Sequence, residues 1–151
     1  MTKNKGLIKA VCISAAKGTP KENVGQALFI ENYGIQSDAH AEADSNRQVS
    51  ILPEEKITEF KQCYIDVKDG EFGENLIVSG IDSESMQPGT VLVCGSVKLE
   101  ITQIGKECHT GCSIAKAVGK CIMPSCGIFA RVLSGGTIKA GDCLEVVSNI
   151  L

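Results

Sequence analysis

Short apolar runs, each cut off within a few residues by Gly, Pro, Asn or Asp, limit what this chain can fold into. Buried helices need longer unbroken patterns, whereas strands close between such turn residues. The clearest case is "PGTVLVCGSVKLEITQIG" (88–105), where two β-rich runs flank Gly95-Ser96. Glycine at the first central position suits a type II′ hairpin. "LIKAVCISA" (7–15) reads as an opening strand, and "GQALFIENYGI" (25–35) as a second that ends in a turn at Asn32 and Gly34. "RQVSIL" (47–52) and "GENLIVSGI" (73–81) read as further strands. "GIFARVLSGGTIKAGDCLEVV" (127–147) reads as two final strands across a Ser134-Gly135-Gly136 turn. Pro53 opens a short helix, "PEEKITEFKQC", with glutamates in its first turn and Ile57 and Phe60 on its apolar face. No βαβ alternation appears. The expectation is a mainly β fold, a closed or nearly closed mixed β-barrel with a few short helices, which also hides strand edges. Residues 1–151 read as one domain.

Charge and composition narrow the function. Net charge is −3, basic residues are scattered, and the aromatic residues comprise two Tyr, four Phe and no Trp. A single-strand nucleic-acid binder needs a basic groove with stacking platforms, so nucleic acid is not an expected partner. Lys9 interrupts the apolar N-terminal run, which argues against a signal peptide, and no stretch is long enough to span a bilayer. The chain therefore reads as cytoplasmic, with no membrane partner. In a reducing compartment its eight cysteines read as buried small residues, ligands or reactive thiols rather than disulfides.

Four of those cysteines, Cys108, Cys112, Cys121 and Cys126, crowd into "KECHTGCSIAKAVGKCIMPSCGIFAR" (106–131). Thr110 suits the N-cap of a short helix over 111–118 that Gly119 ends. Cys112 would then sit among unpaired backbone N–H groups at the positive end of the helix dipole, which favours thiolate. Lys106, His109 and Lys116 add to that effect, and Cys108 is the fallback candidate. Cys12, Cys63, Cys94 and Cys143 lie in or beside apolar runs and read as inert core residues; Cys121 and Cys126 read as loop or core packing. A rival reading closes Cys108, Cys112, Cys121 and Cys126 around zinc or an iron–sulfur cluster. Their C-x3-C-x8-C-x4-C spacing matches neither a standard zinc ribbon nor a ferredoxin.

A second polar group lies upstream in "SDAHAEADSNRQ" (37–48), which by composition reads as a solvated loop leading into a strand. Its chemical reading is that Asp38 orients the imidazole of His40 while Arg47 holds a phosphate. Walker, GxGxxG, HExxH and GxSxG motifs are missing, which leaves ATP-driven, nicotinamide-dependent and serine-hydrolase chemistry without a foothold.

An ordered set of segments, "SDAHAE…RQVSIL" (37–52), "FGENL" (72–76), "PGTVLVCGSVKLEITQIGKECHTGCSI" (88–114), "CIMP" with "GIFARVL" (121–133) and "GGTIKAGDCLEVV" (135–147), resembles the stand-alone MOSC family. The name refers to the C-terminal domain of molybdenum cofactor sulfurase. The resemblance implies a mostly β fold similar to the pyruvate-kinase barrel, and one cysteine whose thiolate ligates molybdenum in cofactor-binding members. By position that cysteine is Cys112, with Cys108 as fallback. The family's Asp-x-His and arginine fall on Asp38, His40 and Arg47, and the arginine of its "FARVL" strand on Arg131. The chain departs from the pattern at Gln36, Ser37 and Glu42, where glycines are common nearby. It departs again at Ser125 and Cys126, where a basic-acidic pair is common.

The resemblance implies binding of molybdenum cofactor (molybdopterin), with Arg47, Arg131 and Lys106 holding the pterin phosphate, or transport of a persulfide on Cys112. A persulfide carrier would be loaded by a separate cysteine desulfurase, since 151 residues leave no room for the pyridoxal-phosphate domain of the sulfurases. The implied partners are that desulfurase, molybdenum cofactor biosynthesis proteins and molybdoenzymes. Some relatives reduce N-hydroxylated compounds at molybdenum, which in this chain would require an external electron donor. Two readings of other classes stand beside these: a structural zinc or iron–sulfur scaffold, and a barrel that serves only as an interaction module.

Overall fold

Strand β1 (Lys5–Ile13) shows how the barrel sorts its residues. Its pairing with a later strand shifts register between Ile8 and Ala10. The bulge reverses the usual alternation, so Ile8 and Val11 enter the barrel core while Ala10 and Cys12 face a second apolar cluster outside it. The computed structural model describes residues 4–17, 19–105, 122 and 126–147.

After β1 come β2 (Glu22–Asn23), β3 (Gln26–Ile30), β4 (Gly34–Ile35), β5 (Val49–Pro53), helix α1 (Glu54–Cys63) and β6 (Leu76–Ser79). A short 3-10 turn (Ser83–Ser85) leads to β7 (Val91–Cys94), β8 (Val97–Ile104), β9 (Ile128–Ser134), β10 (Gly136–Lys139) and β11 (Cys143–Val147). The main sheet runs β11-β7-β8-β9-β5-β6-β1-β2, and β11 also pairs with β1, so all of these strands except β2 form a closed barrel. β5 and β6 run parallel while the other barrel pairs are antiparallel, which makes the barrel mixed as expected. β10, β3 and β4 form a small separate sheet whose Ile138, Phe29 and Ile35 join the barrel core.

The β7–β8 hairpin turns at Gly95 with φ +60°. Ser96 is not among the residues with positive φ, and this combination is what a type II′ turn requires. The 25–35 segment bends at Asn32 and Gly34, both at positive φ. The C-terminal part differs from expectation. It forms three strands, β9, β10 and β11, and no hairpin crosses Gly135. β9 pairs with β8 and β5, whereas β10 leaves for the small sheet and pairs with β3. A Cβ on Gly135 would lie 2.6 Å from the Phe29 carbonyl oxygen, so the chain changes sheets where only glycine lets two backbones come so close.

α1 lies outside the barrel. Pro53 precedes it as N-cap residue, one position earlier than expected, with Glu54 and Glu55 in the first turn. Ile57 and Phe60 pack on Leu52, Val67, Phe72, Ile77 and Phe129, and the Phe60 and Phe72 rings meet edge to face at 5.0 Å. β5 is therefore covered on both faces, by barrel core inside and by this cluster outside.

Two expected core cysteines are corrected. Cys63 and Cys143 are exposed, whereas Cys12 and Cys94 are buried. Cys63 is the last residue of α1, one turn past the buried Phe60. Cys143 precedes the buried Leu144 in a strand whose side chains alternate. No helix among the described residues is long and apolar enough to cross a membrane.

Candidate functional site

Loop 36–48 is not uniformly solvated. Asp38 is buried, although His40, Glu42, Asp44 and Arg47 around it are exposed. The backbone builds this contrast. Asp38 N–H donates to the Ile35 carbonyl and Ala39 N–H to the Ser14 carbonyl, which ties the loop to the residue following β1. The Asp38 side chain is thereby carried inward, where it is met by Lys21.

Lys21 is the site residue that the sequence did not reveal. Its side chain and that of Asp38 are 3% and 0% exposed, and Nζ lies 2.8 Å from Asp38 Oδ1. Nζ also lies 3.0 Å from His40 Nδ1 and 3.5 Å from Ser14 Oγ. Asp38 Oδ1 accepts in addition from Ser14 N–H, and Oδ2 accepts from the Asn75 amide at 3.2 Å. Asn75 anchors the floor: Nδ2 donates to the Cys12 carbonyl, and Oδ1 accepts from Ser50 N–H. The expected Asp38–His40 relation is therefore relayed through a buried ammonium, because Lys21 occupies the space between carboxylate and imidazole.

The loop before Asn75 holds Lys21 from the other side. Lys21 N–H donates to the Gly70 carbonyl. A Cβ on Gly70, whose φ is +88°, would lie 2.2 Å from the Lys21 carbonyl oxygen, so the approach requires glycine. Glu74 fixes the loop with one oxygen on Gly70 N–H (2.9 Å) and the other on Phe72 N–H (3.0 Å). Burial pushes the Glu74 carboxyl up to about 7 even though these N–H groups pull the other way.

Above Lys21 opens a cleft of about 260 Å³, lined among others by Lys17, His40, Glu42, Arg47 and Phe129. Lys21 is neutralised by Asp38, which leaves Lys17 and Arg47 against the carboxylate of Glu42 in this lining, an excess of one positive charge, with Ser45, Ser50 and Asn75 as polar neighbours. Such a surface attracts anions. A wider cleft of about 760 Å³ also borders Lys21, but its lining sets Glu22, Asp69 and Glu71 against Lys68 and the already paired Lys21, a balance less suited to an anion.

Of the residues singled out in the sequence, Asp38, His40 and Arg47 come together here. Arg131 does not line the cleft. It shares the outward face of β9 with Phe129, but its Nη2 donates to Asn32 Oδ1 at 2.9 Å. Cys108, Cys112, Cys121, Lys106 and His109 lie outside the described residues, and so does the short helix expected over 111–118. The ends of that segment are described: Gly105 N–H donates to the Gly127 carbonyl at the β8–β9 end. Ile122 and the half-buried Cys126 pack against the cluster containing Phe129, which itself lines the cleft. Among the described residues, no group of three or more His, Cys, Asp or Glu side chains could hold a metal ion.

Residues 36–145 match the sequence model of the MOSC domain. The fold is similar to that of the YuaD protein from Bacillus subtilis, with a TM-score of 0.79 and 20% identity over 97% of this chain and 98% of that one. It is also similar to YiiM from Geobacillus stearothermophilus, with a TM-score of 0.72 and 19% identity over 94% of this chain and 75% of that one. YiiM from Escherichia coli gives a TM-score of 0.69 and 18% identity over 97% and 71% of the two chains. No curated protein sequence matches the chain.

Proposed function

Since the chain belongs to the MOSC domain family, a family associated with molybdenum cofactor binding, we propose that its cationic cleft holds the phosphate end of that cofactor and that Cys112 supplies a thiolate to the metal. The observation that carries the reading is the set of donors around one cleft: the exposed Lys17 and Arg47 and the Ser45 hydroxyl in its lining, over a base formed by the buried Lys21–Asp38 pair. This set fits a phosphate monoester, which takes charge-assisted hydrogen bonds from cations and further bonds from hydroxyls. The cofactor, when bound, supplies redox and ligand-exchange chemistry at the metal.

The chain's own residues divide the remaining work. Arg47, exposed beside the cleft, neutralises phosphate charge with its planar fork of donors. Asp38 keeps the Lys21 ammonium in place, and Asn75 and Ser14 keep Asp38 in place. Phe129 contributes an apolar wall. The cysteine segment leaves and rejoins the barrel at the β8–β9 end, two residues before Phe129. This supports assigning the thiolate to Cys112, the residue on which both the helix-dipole argument and the family pattern fall.

The test is to purify the protein anaerobically from a host that makes the cofactor and to measure molybdenum, zinc and iron per chain by elemental mass spectrometry. Molybdenum near one per chain, lost in a folded Cys112→Ser variant, is the expected result. Stoichiometric zinc or iron without molybdenum would overturn the reading and turn the cysteine segment into a structural metal site.

A further inference from the structure

The geometry points to a specific tautomer of His40: Lys21 donates to Nδ1 and leaves the proton on Nε2, so that the ring serves the cleft as a neutral hydrogen-bond donor. Lys21 is thus a positioning residue for His40, a role that neither the family match nor the similar folds assign. The cleft ligand to which Nε2 donates rests on the cofactor reading above, but the tautomer does not.

The inference follows from donor and acceptor arithmetic. An ammonium carries three N–H donors and no acceptor. Around Lys21 Nζ lie three acceptor atoms: Asp38 Oδ1 at 2.8 Å, His40 Nδ1 at 3.0 Å and Ser14 Oγ at 3.5 Å. Each can take one N–H. A proton on Nδ1 would face an ammonium hydrogen at that 3.0 Å separation, placing donor against donor beside a positive charge. Asp38, paired with Nζ where both side chains are almost wholly buried, keeps Lys21 in its ammonium form and so removes the alternative in which a neutral amine accepts from Nδ1–H. Nδ1 must accept, and the neutral ring keeps its one proton on Nε2.

The consequence is that His40 presents a donor rather than an acceptor where it lines the cleft. His40 joins Lys17 and Arg47 as a donor without adding charge, which suits an oxyanion such as a phosphate. An exposed histidine with no such partner interconverts between tautomers and presents an acceptor part of the time; the buried lysine removes that option.

The experiment is long-range 1H–15N correlation NMR at pH 8 on the cofactor-free chain. Its two histidines, His40 and His109, are assigned with a His109→Gln variant. The expected wild-type result is a His40 ring with protonated Nε2, no measurable Nδ1–H population, and an Nδ1 resonance displaced by an accepted hydrogen bond. In Lys21→Met that displacement disappears and an Nδ1–H population emerges. Addition of inorganic phosphate shifts the His40 Nε2–H resonance in the wild type. An Nδ1–H population in the wild type overturns the inference, whether or not Lys21→Met folds, and so does an Nδ1 resonance unchanged in a folded Lys21→Met variant. A phosphate titration that leaves Nε2–H unmoved overturns its role as donor to the ligand. A protein that gives the expected NMR result but contains no molybdenum keeps this inference and loses the cofactor assignment.

Discussion

Breaking the Lys21–Asp38 pair from one side should cost far more than removing it from both. In Lys21→Met the Asp38 carboxylate stays buried, with only Ser14 N–H and the Asn75 amide to offset its charge. In Asp38→Asn the ammonium stays buried against Ser14 Oγ, His40 Nδ1 and a neutral amide. Each change strands a charge from which water has been removed, and breaking a buried pair in this way costs about 3–5 kcal/mol. At a urea slope of about 2 kcal/mol per molar, that loss lowers the unfolding midpoint by about 1.5–2.5 M.

The double variant Lys21→Met/Asp38→Asn strands no charge. Its cost should be no greater than that of either single variant, giving a coupling of at least about 3 kcal/mol in the double-mutant cycle. Additive behaviour would instead cost about 6–10 kcal/mol, comparable with the entire stability of an ordinary domain. The assay is urea denaturation of all four proteins followed by circular dichroism, with unchanged slopes as the control. A double-variant loss equal to the sum of the singles, within about 0.5 kcal/mol, would falsify the claim that these two side chains act as a buried charge pair.

Glu74 should give the protein an unusual dependence on pH. Its folded value, about 7, lies above its ordinary 4.5, so the folded chain holds this proton more tightly than the unfolded one. The contribution is fully present below about pH 4.5 and is lost as pH rises through 7, a change of about 3 kcal/mol. Urea unfolding at pH 5 and pH 8 should show the loss, and Glu74→Gln should flatten it; a wild-type profile that rises over this interval refutes the assignment. Under native conditions, maleimide labelling read by mass spectrometry should modify Cys63 and Cys143 quickly and leave Cys12 and Cys94 unmodified. Burial pushes the Cys12 and Cys94 thiols up to about 12 and about 11, so they lack both access and thiolate. Phe60→Ala should remove about 3–5 kcal/mol in denaturant titrations, since Phe60 joins α1 to Phe72 and to the cluster outside the barrel.

How much of this was legible in the sequence depends on how far apart the interacting residues lie. The β7–β8 hairpin was readable because its signals are adjacent: alternating apolar residues on either side of a glycine that the turn requires. The start of α1 was readable to within one residue for the same reason. Closure of the barrel was inferred only as a class, because the β11–β1 pairing joins the two ends of the chain and leaves no local mark. The separation of β10 from β9 was missed because the Ser134-Gly135-Gly136 segment looks like a turn. The glycines there serve a close backbone crossing against Phe29. Lys21 was invisible for the deeper reason that "TPKENV" has the composition of a solvated loop. Its burial is produced by three distant segments: Ser14 after β1, Asp38 in the next polar loop, and Gly70, whose missing side chain lets the Lys21 backbone approach. Asn75 was present in the "FGENL" segment that carried the resemblance, but nothing local says that its amide bridges the Cys12 carbonyl and Asp38. A buried ion pair is specified by what surrounds it in space. From sequence, its one trace is a carboxylate drawn inward out of an otherwise exposed loop, and that trace becomes readable only once the loop's backbone bonds are known.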